Sequence, residues 1–188
     1  MRHLDVEGLG AVSRVGLGTW QFGSREWGYG DAYASGEARA IVRRARELGI
    51  TLFDTAEVYG FGRSERILGE ALGEERADVV VATKLFPVAP FPPVVRNRLA
   101  GSARRLGLDR VPLYQVHQPN PLVPDSVIMP GMRDLLDDGT IGAVGVSRRR
   151  REIGIRLALG AGPDDIRALF VRQSLVVLAA GIASGLIA

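Results

Sequence analysis

The chain contains no cysteine, two histidines and one lysine among its 188 residues. The absence of cysteine excludes disulfide scaffolds, cysteine-ligated zinc, iron–sulfur clusters and thiol nucleophiles. Because His3 and His117 are the two histidines, a histidine-rich metal site is excluded too, and we expect no metal cofactor. Apolar residues make up 46% of the chain and charged residues 24%, which favours a globular protein over a disordered chain or a polytopic membrane protein.

Basic charge is concentrated near the C-terminus. Residues 1–147 hold 17 basic and 18 acidic residues, whereas residues 148–188 hold seven basic and three acidic ones. The larger part therefore lacks the cationic excess that nucleic-acid binding requires, and no nucleic-acid partner is expected. The first ten residues include acids and no apolar stretch of the kind found in signal peptides, which indicates a cytoplasmic location.

Strand and helix patterns alternate along most of the chain. After an opening stretch with a hairpin-like pattern, a first strand is predicted at GLGTW, residues 16–20. Further β-branched or apolar runs start at 51, 79, 113 and 141, at separations of 28, 34 and 28 residues, about the size of a βα unit. Five parallel strands in an α/β fold are therefore predicted. The repetition alone is compatible with either a barrel or a doubly wound sheet.

Helical patterns fill the connections between these strands. The first helix is predicted from Ser35, as its N-cap, to a stop at Gly49, and Ser64 is predicted to cap a shorter second helix. A third helix is predicted over residues 92–107, and residues 127–139 have a looser pattern.

Three of the predicted strands end in residues able to carry chemistry, which are Asp54, Lys84 and His117. The carboxyl ends of parallel strands meet on one face, and Tyr59 follows Asp54 in the loop on that face. Each of these residues alone has an ordinary structural explanation, such as core packing or a solvated strand end. Their combination is what suggests a site.

Together the four residues form a candidate proton-transfer device. A phenol has a pKa near 10, so Tyr59 can act as an acid near neutral pH only if a cation such as Lys84 stabilises its phenolate. Asp54 would keep a buried lysine charged, and His117 could donate a hydrogen bond to a carbonyl oxygen. One lysine stands against 23 arginines, which indicates that a compact ammonium is needed at this position.

At these residues the chain resembles the aldo-keto reductases, which are NADPH-dependent (βα)8 barrels. The matching motifs occur in the family's order: GLGTW at 16–20, DTAEVYG at 54–60, ATK at 82–84, LYQVH at 113–117 and GAVGVS at 142–147. The resemblance implies that Asp54, Tyr59, Lys84 and His117 are the catalytic tetrad. In that family the tyrosine protonates the developing alkoxide while the nicotinamide delivers a hydride.

The resemblance also implies a set of cofactor contacts. Gly18, Thr19 and Trp20 resemble the stretch that lines the nicotinamide and substrate pocket. Ser147 corresponds to a serine that holds the nicotinamide carboxamide, and Asp54 belongs to both sets. The implied cofactor is NADPH, and the implied substrate is a small carbonyl compound.

The likeness ends at Ser147, where Arg148 replaces the family's asparagine. Three further strands are missing, so we expect a partial barrel of about five of eight strands. The segment REIGIRLALGA at 151–161 is followed by an apolar run, and in this residues 148–188 resemble the end of an FtsX-like or MacB-like permease domain. Two units are therefore predicted, a reductase part at 1–147 and a cationic, apolar, helical tail at 148–188.

The last 15 residues of the tail carry no charge. As a helix they would reach about 22 Å, less than the roughly 30 Å of a bilayer core. A truncated membrane span, an interfacial helix and a buried terminal helix all remain open, and the first two would bring the tail to a membrane.

The expected function is NADPH-dependent reduction of an aldehyde or ketone, impaired in this truncated chain. The alternatives are a non-catalytic, membrane-associated remnant and an ABC-transporter permease fragment that carries the reductase part as a passenger. The carbonyl substrate and the oligomeric state are not specified by these patterns.

Overall fold

The computed structural model describes residues 1–23, 31–118, 120 and 123–147. Residues 1–147 form one compact unit. The predicted helical tail at 148–188 lies outside the described residues. In the part that is described, no helix combines the length and the apolar character needed to cross a membrane.

Five parallel strands form the main sheet, and an antiparallel hairpin precedes them. The hairpin consists of β1 (His3–Val6) and β2 (Gly10–Ser13), and the sheet consists of β3 (Gly16–Gly18), β4 (Leu52–Asp54), β5 (Val80–Leu85), β6 (Val111–Val116) and β7 (Ile141–Val146). Each strand of the sheet lies beside its neighbour in sequence, in the order β3-β4-β5-β6-β7. A doubly wound sheet reverses its strand order at a switch point, and this sheet does not. The prediction of a partial barrel with five strands is therefore confirmed.

Helices follow β3, β4, β5 and β6 and pack against the sheet. They are α1 (Trp20–Gly23), α2 (Asp31–Glu47), α3 (Arg63–Leu72), α4 (Pro92–Leu106) and α5 (Asp125–Asp137), with a 3-10 turn at Gly73–Asp78. The hydrophobic core lies between strands and helices in two clusters. One joins α2 and α3 to β4 and β5, and the other joins α4 and α5 to β6. A fully buried side chain such as Phe53 or Leu99 contributes about 2 kcal/mol by leaving water.

Two helix starts differ from the sequence prediction. Helix α2 begins at Asp31, so Ser35 lies inside the helix instead of capping it. Helix α3 begins at Arg63 after Gly62, which has a φ of 82°, and no side chain caps it. Ser64 was wrongly predicted as the cap because its hydroxyl is directed into the interior, where it bonds to other residues.

The looser segment at 127–139 is also a helix. Helix α5 spans Asp125–Asp137 with Pro130 inside it. Ile128, Met132 and Leu135 are buried at helical spacing against β6 and β7. This packing offsets the cost of an internal proline, which is about 3 kcal/mol in an isolated helix.

Candidate active site

The structure brings the four predicted catalytic side chains together at the carboxyl ends of β4, β5 and β6. Asp54 is the last residue of β4, Lys84 lies near the end of β5, and His117 follows β6 directly. Lys84 and His117 are buried, with 2% and 3% of their surfaces exposed. Parallel pairing of the three strands produces this convergence, as the sequence predicted.

The Lys84 ammonium is surrounded by oxygen atoms. Its Nζ donates to Asp54 Oδ2 at 2.7 Å, lies 2.7 Å from Asp54 Oδ1, and donates to the Thr55 carbonyl at 2.6 Å. A buried ammonium pays a large desolvation cost, and a close carboxylate with a further acceptor offsets it. The arrangement therefore keeps a charged lysine inside the protein.

Tyr59 lies between this cation and the histidine. Lys84 Nζ is 5.2 Å from the centroid of the Tyr59 ring. The Tyr59 and His117 rings meet edge to face, with centroids 5.5 Å apart and planes at 85°. A phenol beside an ammonium and an imidazole is suited to exchange a proton with an oxygen atom that approaches it.

The predicted cofactor residues Gly18, Trp20 and Ser147 lie by the first and last strands of the sheet, β3 and β7. Gly18 ends β3 in register with Asp54 and is exposed, and no atom of another described residue lies within 4 Å of the position that a Cβ would take. Trp20 is 49% exposed, and Ser147 follows β7 with its amide donating to the Val116 carbonyl at 2.8 Å. The open space at Gly18, next to a half-exposed carboxylate, fits a ligand group laid against this strand end.

Thr19 is different, because it is fully buried. Its amide and its hydroxyl both donate to the Asp54 carbonyl, at 2.9 and 3.1 Å. Thr19 thus supports the end of β4 from inside instead of presenting a group to a ligand.

A buried cluster of three hydroxyls lies behind Asp54. Ser64 Oγ donates to the Thr19 carbonyl at 2.7 Å and lies 2.8 Å from Thr19 Oγ1 and 3.0 Å from Thr55 Oγ1. All three residues are fully buried. The cluster connects α3 to the residues that follow β3 and β4, and so it fixes the backbone around Asp54.

Glycines allow the Tyr59 loop to approach α1 closely. A Cβ at Gly60 would lie 2.2 Å from the Gly23 carbonyl oxygen, and Gly60 has a φ of +58°. A Cβ at Gly23 would lie 2.6 Å from the Tyr59 carbonyl oxygen. Larger residues at either position would push the loop and the helix apart.

The sequence analysis missed two charged residues next to the tetrad. Glu57 lies in the loop between Asp54 and Tyr59, and its carboxylate is paired with Arg98 of α4. Glu57 falls within the DTAEVYG motif, which was a usable signal, but Arg98 is one of many arginines and only the fold brings it to this loop.

A cavity of about 320 Å³ lies along β3, α1 and α2. It is lined by Leu17, Gly18, Gln21, Phe22, Glu37, Ala38 and Ile41, and it includes none of the tetrad. We assign the chemistry to the tetrad because ionisable groups converge there, whereas the cavity is mainly apolar. Within the described residues β3 has a neighbouring strand on one side only, so this cavity marks an open edge of the partial barrel.

The chain thus has a parallel, sequentially ordered partial barrel, with Asp, Tyr, Lys and His at or after its strand ends. The model of the aldo/keto reductase family matches residues 14–158, and the chain belongs to this family. A second model, the C-terminal part of FtsX-like permeases, matches residues 140–188.

Individual relatives agree with the family match. An uncharacterized oxidoreductase of Mycobacterium tuberculosis is 76% identical over 147 residues, which are 78% of this chain and 46% of that protein. The aldo-keto reductase YhdN of Bacillus subtilis is 44% identical over 159 residues, covering 78% of this chain and 47% of YhdN. The chain thus spans about half the length of the curated relatives it matches.

A solved structure of an aldo/keto reductase has a similar fold. The crystal structure of an aldo/keto reductase of Klebsiella pneumoniae in complex with NADP and acetate superposes with a TM-score of 0.70 at 27% identity. The similarity covers 90% of this chain and 53% of that protein.

Proposed function

We propose that residues 1–147 are the proton-transfer part of an NADPH-dependent reductase that converts an aldehyde or ketone to an alcohol. The observation that carries this proposal is the Lys84 ammonium, held 2.7 Å from the Asp54 carboxylate and 5.2 Å from the Tyr59 ring. Family membership and the complex of a relative with NADP support the cofactor.

In this mechanism Tyr59 protonates the carbonyl oxygen as it becomes an alkoxide. Lys84 stabilises the phenolate that is left, and Asp54 holds Lys84 in place. His117 orients the carbonyl oxygen toward the tyrosine by donating a hydrogen bond. NADPH, when bound, supplies the hydride, and Gly18, Trp20, Asp54 and Ser147 would hold its nicotinamide end, with Thr19 acting through Asp54.

The test uses a completed barrel. This protein joins residues 1–147 to the residues that follow the corresponding serine in the M. tuberculosis relative, which is 76% identical over the shared part. We expect it to consume NADPH in the presence of a small aromatic aldehyde and not in its absence. A folded, NADPH-binding completed barrel that reduces no member of an aldehyde and ketone panel would contradict the proposal.

A second candidate function concerns residues 148–188, since the permease model matches residues 140–188. We propose that 148–188 are a separate unit, derived from a permease, that brings an otherwise cytoplasmic reductase part to an anionic membrane surface. Cells producing the full chain or residues 1–147 alone would be fractionated. The proposal expects membrane association of the full chain only, and equal distribution of the two proteins would contradict it.

A further inference from the structure

A largely buried ion pair lies beside the tetrad without belonging to it. Glu57 is two residues before Tyr59 in the loop after β4, and its side chain is 10% exposed. Arg98, on α4, is its partner, with a side chain that is 25% exposed. The proposed reaction uses neither residue.

The pair joins three separate parts of the fold. Glu57 Oε1 accepts the Phe86 amide proton at 2.6 Å, and Arg98 contacts both carboxylate oxygens, at 2.8 and 3.0 Å. Arg98 Nη1 also donates to the carbonyls of Phe86 and Val88, at 2.7 and 3.3 Å. The Tyr59 loop is thereby tied to the segment after β5 and to α4.

These contacts reach the backbone next to three tetrad members. Phe86 follows Lys84 by two residues, and its ring meets the His117 ring edge to face, with centroids 6.2 Å apart. Tyr59 meets the same imidazole from another direction at 5.5 Å. A shift of the Glu57–Arg98 pair would therefore change the spacing of Tyr59, Lys84 and His117 together.

Burying the charges of Glu57 and Arg98 costs desolvation free energy, so the pair contributes little to the stability of the fold. Burial raises the pKa of Glu57, although Arg98 and the Phe86 amide act in the opposite direction. A carboxyl group whose pKa is raised by folding favours the folded state most at acidic pH and loses that contribution as the pH rises through its pKa. Buried ion pairs are often replaceable by apolar residues without loss of stability. A role in geometry explains its presence better than a role in stability.

We propose that Glu57 and Arg98 are positioning residues, which hold the Tyr59 phenol in reacting distance of Lys84 and His117. The proposal rests on the proposed function for its catalytic consequence. Its structural part, the placement of Tyr59 against His117, can be measured without any turnover.

The first experiment uses histidine-labelled full chain and nuclear magnetic resonance. The chain has two histidines, so its imidazole spectrum contains His117 and, as an internal reference, the exposed His3. Tyr59→Leu identifies the shift that the tyrosine ring causes at His117. Glu57→Gln and Arg98→Met are expected to move the His117 signals by about half of that change or more, and to leave His3 in place.

A matched ion pair provides the control. Arg105, also on α4, lies 2.6 Å from the fully buried Glu65, and its side chain is 25% exposed, as in Arg98. Arg105→Met removes a comparable pair that ties α4 to Glu65 of α3, six residues after Tyr59, instead of to the Glu57 carboxylate. It should leave the His117 signals where they are. Unchanged His117 signals in Glu57→Gln and Arg98→Met, or an equal shift in Arg105→Met, would overturn the proposal.

The second experiment measures catalysis in the completed barrel. A small misplacement of reacting groups costs on the order of 10- to 100-fold in rate. Glu57→Gln and the double variant Glu57→Gln/Arg98→Met should lower kcat by about that factor, and KM for the aldehyde should stay within about twofold. Arg98→Lys keeps a cation beside Glu57, so its kcat should be higher than that of Arg98→Met. A normal kcat in the double variant would contradict the positioning role. If the parent barrel is inactive, the proposed function fails, and the imidazole signals still decide whether the pair positions Tyr59.

Discussion

Removing the buried Ser64 hydroxyl should lower the free energy of unfolding by an amount that follows from its hydrogen bonds. In Ser64→Ala, the Thr19 carbonyl and the Thr55 hydroxyl both lose a partner, at present 2.7 and 3.0 Å away. Each net hydrogen bond contributes about 1 kcal/mol, and a buried hydroxyl left without a partner costs about 1–3 kcal/mol. The Thr19 carbonyl still accepts the Phe22 amide proton, so Thr55 bears most of the penalty. The expected loss is about 2–4 kcal/mol in the free energy of unfolding.

The assay is urea unfolding of the full chain, followed in parallel by tryptophan fluorescence and circular dichroism. Coincident transitions are required before a free energy is assigned. Ser102→Ala is the matched control, because Ser102 is also fully buried but, among the described residues, its hydroxyl accepts one bond, at 3.1 Å, from the partly exposed Arg105. Its loss should be about 1 kcal/mol. A cost for Ser64→Ala no larger than that for Ser102→Ala would refute the reasoning.

Three further predictions concern single residues. Tyr114→Phe should stabilise the fold by about 1–2 kcal/mol in the same urea assay, since the buried Tyr114 hydroxyl has no hydrogen-bond partner in the described part of the chain, and a loss of stability would contradict this. Hydrogen bonds from Thr140 and Arg96 lower the pKa of Asp138 to about 2, so its stabilising effect is present above about pH 4 and is lost as the pH falls through 2. Asp138→Asn should therefore lower the melting temperature much more at pH 6 than at pH 2, and equal shifts at both pH values would contradict it. Lys84→Arg in the completed barrel should lower kcat severely, because a guanidinium does not reproduce the ammonium held by Asp54 and Thr55, and near-normal turnover would contradict it.

The strands and the tetrad were predictable because their signals are local. Runs such as VVVATK are buried along their length, and their regular spacing set the number of strands. The residues at the strand ends could be placed on one face because parallel strands bring their carboxyl ends together. Asp54, Lys84 and His117 therefore lie together as expected, although their catalytic roles remain predictions.

Tertiary contacts explain why the sequence did not predict α5, the role of Ser64 or the Glu57–Arg98 pair. Pro130 weakened the helical pattern of α5, and the buried stripe around Met132 restores the helix only when β6 and β7 are present. Ser64 has the character of a cap, but a pocket of hydroxyls from two other segments binds its side chain. Nothing in the sequence around Arg98 links it to Glu57, which lies 41 residues away along the chain. Such pairings depend on the folded arrangement of α4 and the Tyr59 loop.

The central claim is that the Tyr59 hydroxyl is the proton donor in carbonyl reduction. Its most direct test compares Tyr59→Phe with Tyr114→Phe in the completed barrel, by the rate of NADPH consumption with a small aromatic aldehyde. Each substitution removes one phenolic oxygen, but Tyr59 lies beside Lys84, whereas Tyr114 is fully buried in the core. The account predicts a loss of about 100-fold or more for Tyr59→Phe and a normal rate for Tyr114→Phe. A near-normal rate in Tyr59→Phe would contradict it.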